Sequence, residues 1–127
     1  MDREFEKVKE FQRIFGLRVS DKPVILAPDR VNARAGWLRE EIEEFEEADN
    51  IYEQADAMID LIYFALGTLV EMGVKPEKLF DIVHEANMTK IWSDGKVHRR
   101  ENDGKVIKPP EWEDPEPKIR AAIDTMG

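Results

Sequence analysis

Six glutamates occupy the eight positions from Glu40 to Glu47, and the next helical stretch, Ala57 to Val70, is apolar apart from Asp60. An ionised carboxylate among apolar neighbours must be paired, hydrogen-bonded or bound to a cation. The chain has no cysteine and only two histidines, His84 and His98. That inventory excludes thiolate metal sites, disulfides and cysteine nucleophiles, and it is too poor in histidine for a typical zinc centre. The chemistry left open is oxygen ligation of a hard divalent cation, Mg2+ with Mn2+ as a substitute. Such ions keep several waters and bridge to phosphate oxygens.

At about 100° per residue, Glu41 falls within the apolar stripe of Leu38, Ile42 and Phe45, Glu44 borders it, and Glu40 lies one step further round. Glu43, Glu46 and Glu47 read as a solvated face. On the following helix Glu53, Asp56 and Asp60 share one side, where Glu53 suits a helix start electrostatically. A short connection makes the two helices an antiparallel hairpin, which places Glu41 and Glu44 opposite the Asp56 to Asp60 turn. Either a divalent cation or arginines must compensate this cluster, and Arg30, Arg34 and Arg39 are near in sequence.

The elements that position these groups follow from periodicity. Phe5, Val8, Phe11, Gln12 and Phe15 at helical spacing, with Gly16 as a stop, predict a helix near residues 2 to 15. After a Pro-containing connection, Val31, Ala35, Leu38, Ile42 and Phe45 predict a second helix, capped by Asp29 and running to about Ala48. A third is expected from Ile51 to Met72, ending at Gly73, and a fourth from Pro76 to about Ile91. The pattern then breaks into a tail, residues 92 to 127, with the tetrad Asp-Gly-Lys-Val at Asp94 and again at Asp103. Asp-Gly is a turn signal, and the second copy lies between runs that can pair as a hairpin. Pro115 and Pro117 introduce a short terminal helix over 118 to 123.

A length of 127 residues fits one domain, helical over 2 to 91 with a basic flap over 92 to 127. The net charge of -9 argues against nucleic acid or an anionic membrane as a partner, since both need a basic face. The charged N-terminus has no signal-peptide core, and no uncharged run reaches spanning length, so the expectation is a cytoplasmic protein. A third helix that is apolar nearly all round implies burial between subunits, in a homodimer or homotetramer.

The segment Leu38-x-Glu40-Glu41-x-x-Glu44-Phe45, followed by Asp60-Leu61-Ile62-Tyr63, resembles the all-α nucleotide pyrophosphohydrolase superfamily that includes MazG, the dimeric dUTPases and phosphoribosyl-ATP pyrophosphohydrolase. Asn87-Met88-Thr89-Lys90 and the two Asp-Gly-Lys-Val tetrads are similar to its phosphoribosyl-ATP pyrophosphohydrolase-like branch. The resemblance implies an all-α fold, an antiparallel four-helix bundle of the MazG-like type with a C-terminal irregular or hairpin flap. It also implies Mg2+-dependent cleavage of a nucleotide substrate, a (d)NTP or a relative such as phosphoribosyl-ATP, between the α and β phosphates, with water as the nucleophile. Glu41, Glu44, Asp56 and Asp60 would hold metal, and Glu40 and Glu41 would be catalytic, Glu40 by orienting or deprotonating the water. Asn87, Lys90, Lys96, Arg99 and Arg100 would bind substrate phosphates. Lys90 reads equally as a helix-dipole partner, and the flap cations equally as a subunit contact. Trp92 and Trp112 suit base stacking or an interface, and His98 suits the surface.

One position departs from the pattern. The second acidic motif is normally Glu-x-x-Asp, but Ala57 stands three residues before Asp60, with Asp56 as the substitute ligand. The departure leaves a second reading from another class, a non-catalytic module that binds metal and nucleotide or a helical interaction partner.

Overall fold

The computed structural model describes all 127 residues and is all-α apart from one two-stranded hairpin. Helices α1 (Asp2–Ile14), α2 (Pro28–Glu47) and α3 (Ile51–Met72) are followed by α4 (Glu77–Met88), β1 (His98–Arg99), β2 (Val106–Ile107) and α5 (Glu116–Asp124). The chain divides into two compact units, Met1–Pro76 with Met126–Gly127, and Glu77–Thr125. Helix α4 therefore groups with the hairpin and α5.

In the first unit, α3 packs against both α1 and α2. Phe5 and Val8 of α1 meet Leu66 and Val70 of α3 in the buried core, with Val19 and Leu69 packed around them. The core occupies the C-terminal half of α3, which leaves its N-terminal half to carry the acidic residues. Local chemistry sets the helix ends. Asn50 Oδ1 accepts from the Glu53 amide at 2.9 Å, and Glu53 Oε2 accepts from the Asp49 amide at 3.0 Å. This reciprocal cap satisfies orphan donors at the start of α3 and engages Glu53 there. At the other end Gly73 adopts φ 70°, and the Gly73 and Val74 amides close on Val70 and Leu69 carbonyls at 3.1 and 3.0 Å. The connector after α1 is tied over this end by Ser20 N to Val70 O and Val24 N to Met72 O, at 3.1 and 2.9 Å.

The sequence-based start of α2 needs one correction. Asp29 lies inside the first turn and Ala27 is the cap, with no side-chain cap hydrogen bond. Pro28 begins the helix because its fixed φ and missing N–H suit that position, and Asp29 complements the helix dipole.

In the second unit α4 packs on α5. It ends at Met88, short of the expected Ile91, where the Thr89 and Lys90 amides turn back to Ala86 and Asn87 carbonyls, both at 3.2 Å. The repeated tetrad is one backbone device used twice. Asp94 Oδ1 accepts from the Lys96 amide at 2.9 Å, and Asp103 Oδ1 accepts from the Lys105 amide at 3.1 Å. Gly95 and Gly104 take φ 76° and 73°. The second turn joins β1 to β2 in antiparallel register, His98 opposite Ile107 and Arg99 opposite Val106.

Candidate metal centre

The α2–α3 hairpin delivers Glu41, Glu44 and Asp60 to one point. One carboxylate oxygen from each lies within 4.8 Å of the others. That span is about what a hard cation bridges with two bonds of roughly 2.0–2.6 Å. Glu41 is buried at 8 % exposure, Asp60 is half-buried and Glu44 is exposed, so the cluster runs from the helix seam out to solvent. Asp56 and Glu44 line an open recess of about 300 Å³ with Glu47, Ala48 and Glu53. The site thus has a closed side and an accessible one.

Its electrostatics are those of an unneutralised cage. Burial, then the hydrogen bond and charge of Glu44, then the charges of Asp60 and Asp56 push Glu41 up to about 7. Burial and the charges of Asp56 and Glu44 also raise Asp60. Oε2 of Glu41 is buried without a hydrogen-bond partner. A buried carboxylate oxygen in that state is costly, and a divalent cation would meet the requirement. The donors are all oxygen and suit Mg2+ or Mn2+.

Two of the three arginines expected as the competing explanation, Arg30 and Arg34, are engaged elsewhere, and Arg39 is exposed. Arg30 Nη2 lies 2.6 Å from Glu71 Oε1, and Arg34 Nη2 lies 3.6 Å from the same oxygen. Glu71 escaped the sequence reading because it stands just past the apolar run of α3. Its signal was the spacing of eleven residues after Asp60, three turns on the same face. Gln12 and Arg34, likewise buried, lie on helix faces otherwise read as apolar or merely basic.

A family model for phosphoribosyl-ATP pyrophosphohydrolase matches residues 8–87. The chain belongs to that family. The match contains both acidic helices and α4 as far as Asn87. The chain is also similar to a candidate NTP pyrophosphohydrolase from Exiguobacterium sp. 255-15, at 31 % identity over 95 % of this chain and 94 % of that one, with a TM-score of 0.51. Both likenesses agree with the all-α, MazG-like superfamily. No curated protein matches the sequence.

Not every expected site residue of this pyrophosphohydrolase-family chain joins the cluster. Glu40 is exposed on α2 and stands outside the group of three. Asn87 and Lys90 lie at the end of α4 in the second unit, where the Lys90 ammonium stands 5.3 Å from the Trp112 ring centroid. Lys108 stands 5.1 Å from the same ring, and the Trp112 indole N–H donates to Ala86 O at 2.7 Å. Trp92 stacks on His98 at 4.2 Å, and His98 pairs with Asp94 at 2.9 Å. Both tryptophans therefore make contacts within their own unit. Of the flap cations, Arg100 is paired with Asp103 across the turn, whereas Lys96 and Arg99 present exposed side chains. No single helix is long and apolar enough to cross a membrane.

Proposed function

We propose that this chain is a divalent-cation-dependent nucleotide pyrophosphohydrolase, cleaving a nucleoside triphosphate or a relative such as phosphoribosyl-ATP between the α and β phosphates to monophosphate and pyrophosphate. The observation that carries this reading is the cluster of Glu41, Glu44 and Asp60, with a buried Glu41 oxygen that lacks a partner. Glu41, Glu44 and Asp60 would hold the ion, with Asp56 one turn away on α3 as a further ligand. When bound, Mg2+ supplies charge neutralisation for phosphate oxygens and lowers the pKa of water at neutral pH.

The protein's own groups perform the rest. Glu40, exposed beside the cluster in sequence, orients the attacking water or takes its proton. Lys96 and Arg99, with Asn87 and Lys90, bind substrate phosphates and offset the charge developing on the departing pyrophosphate. Arg100 contributes after exchanging Asp103 for phosphate. A homodimer or homotetramer completes the molecule, because Ile59, Ile62 and Tyr63 of α3 are exposed at 62 %, 45 % and 39 % in the single chain.

Ala57 favours a second reading. It is buried at 1 % exposure where the family motif carries a glutamate, so the second acidic motif has lost a ligand. A protein that binds metal and nucleotide without turnover would show this departure. Pyrophosphate release from a panel of ribo-, deoxyribo- and modified nucleoside triphosphates plus phosphoribosyl-ATP separates the two, with magnesium, with manganese and with chelator. Metal-dependent release establishes the hydrolase. Nucleotide binding without product from any of the panel establishes the binding module.

A further inference from the structure

Three contacts between α2 and α3 share one register. Arg30 grips Glu71, with Nη2 2.6 Å from Oε1 and Nε 3.2 Å from both carboxylate oxygens. Seven residues forward on α2 and seven back on α3, the rings of Trp37 and Phe64 stand 5.9 Å apart. Four residues further in each direction arrive at Glu41 and Asp60. Steps of seven and four return an α-helix to nearly the same face, so these are rungs of one antiparallel seam. About 16 Å of helix separates the first rung from the third.

The first rung has a buried carboxylate, unlike an ordinary surface ion pair, with Arg30 half-buried at 19 % exposure and Arg34 beside it. Glu71 is 3 % and Arg34 4 % exposed. Arg34 Nη2 also donates to Gln12 Oε1 at 3.1 Å, and Gln12 Nε2 donates to Arg18 O at 2.7 Å. The Arg34 guanidinium stands 4.9 Å from the Trp37 ring centroid, which joins the ion pair to the middle rung. Gly67 on α3 makes room for the cluster, since a Cβ there would collide with Gln12 Oε1 and come within 2.9 Å of Arg34 Nη1. A slip of α2 along α3 would leave a buried charge uncompensated, which is how buried ionic groups specify register. The acidic rung supplies no such restraint when ionised, because its carboxylates then repel one another.

We propose that Arg30, Arg34, Glu71 and Gln12 are positioning residues for the cation site, locking α2 in register against α3 and so setting Glu41 and Glu44 against Asp60. The proposal rests on the reading of the acidic cluster as that site. Arg30→Lys keeps the charge but loses the two-pronged grip, and Glu71→Gln keeps the shape but loses the charge. The full chain has no native cysteine, so spin labels attached at exposed Glu43 and Gln54 report the α2–α3 register directly.

The expected result is at least a tenfold loss of Mn2+ affinity in both variants, with unchanged helical circular dichroism and a shifted or broadened label distance. Val70→Ala serves as the control, since it thins the core cluster of Phe5, Val8 and Leu66 while leaving every side chain of the proposed lock in place. Its Mn2+ affinity should stay within twofold of wild type. Wild-type affinity and label distance in Arg30→Lys, or an equal loss in Val70→Ala, overturns the positioning role. Absence of Mn2+ binding in the wild type overturns the cation-site reading instead, and that failure is distinct because it appears before any variant is made.

Discussion

Glu41 and Asp60 face each other across two antiparallel helices, one fully in the seam and one half-buried, with Glu44 closing the triangle within 4.8 Å. Each helix alone carries an ordinary acidic face, and only their pairing makes a ligand set. Replacement of Glu44 or Asp60 by Ala should cut pyrophosphate release by about a hundredfold or more, on the order of 3 kcal/mol of transition-state stabilisation. Helical circular dichroism should be unaltered. Steady-state kinetics on the two variants check this, and retained activity would remove both residues from the site.

Stability should depend on pH in a cation-sensitive way. Glu41 rises from 4.5 to about 7 on folding and Asp60 is raised as well, so the folded state binds protons more tightly than the unfolded one. The Glu41 contribution is fully present below its unfolded value and is lost as pH rises through about 7, and Asp60 acts in the same direction. In chelator, Tm should therefore fall from pH 5 to pH 8. Mn2+ at pH 8 should restore it, and Glu41→Gln should flatten the decline. A Tm that is level across this window in chelator would contradict the assigned coupling.

Asp94 and Asp103 shift the other way, lowered by hydrogen bonds first from the Lys96 amide and the Arg100 side chain respectively. Their contribution is present above the ordinary carboxylate range and is lost as pH falls below it. The hairpin signals in an NMR titration should weaken on acidification toward pH 3 while those of the acidic cluster do not.

Gly67→Ala should be destabilising by about 1–3 kcal/mol, as expected for overpacking a filled interior. The new methyl meets Gln12 and Arg34, both held by hydrogen bonds and unable to swing clear. Gly36, with open space around its Cβ direction, is the comparison site, and Gly36→Ala should be neutral or slightly stabilising. Urea unfolding of the pair supplies the test.

Among the flap cations, Arg99→Ala and Lys96→Ala should raise KM for a nucleoside triphosphate several-fold more than Arg100→Ala. Arg100 begins paired to Asp103, so its engagement with phosphate must offset a lost ion pair. Equal effects from all three would show that the Arg100–Asp103 pair opens at no cost.

Much of this protein was legible in order of residues alone. Helical periodicity located α3 from Ile51 to Met72, because Asn50 at its start and Gly73 at its end are local caps whose geometry depends on neighbours in sequence. The three-residue spacing of Glu41 and Glu44 put them on one edge of α2, and a charge in an apolar run singled out Asp60. Local rules could not assign partners. Nothing in sequence distinguished Arg30 and Arg34 as companions of the nearby glutamates from Arg30 and Arg34 as companions of Glu71, some forty residues away, since the choice depends on the α2–α3 register. The same holds for α4, whose amphipathic pattern did not say what it would meet; within its own unit it packs on α5. Periodicity says which face of a helix is apolar; only the tertiary structure decides what that face, or a buried charge upon it, will meet.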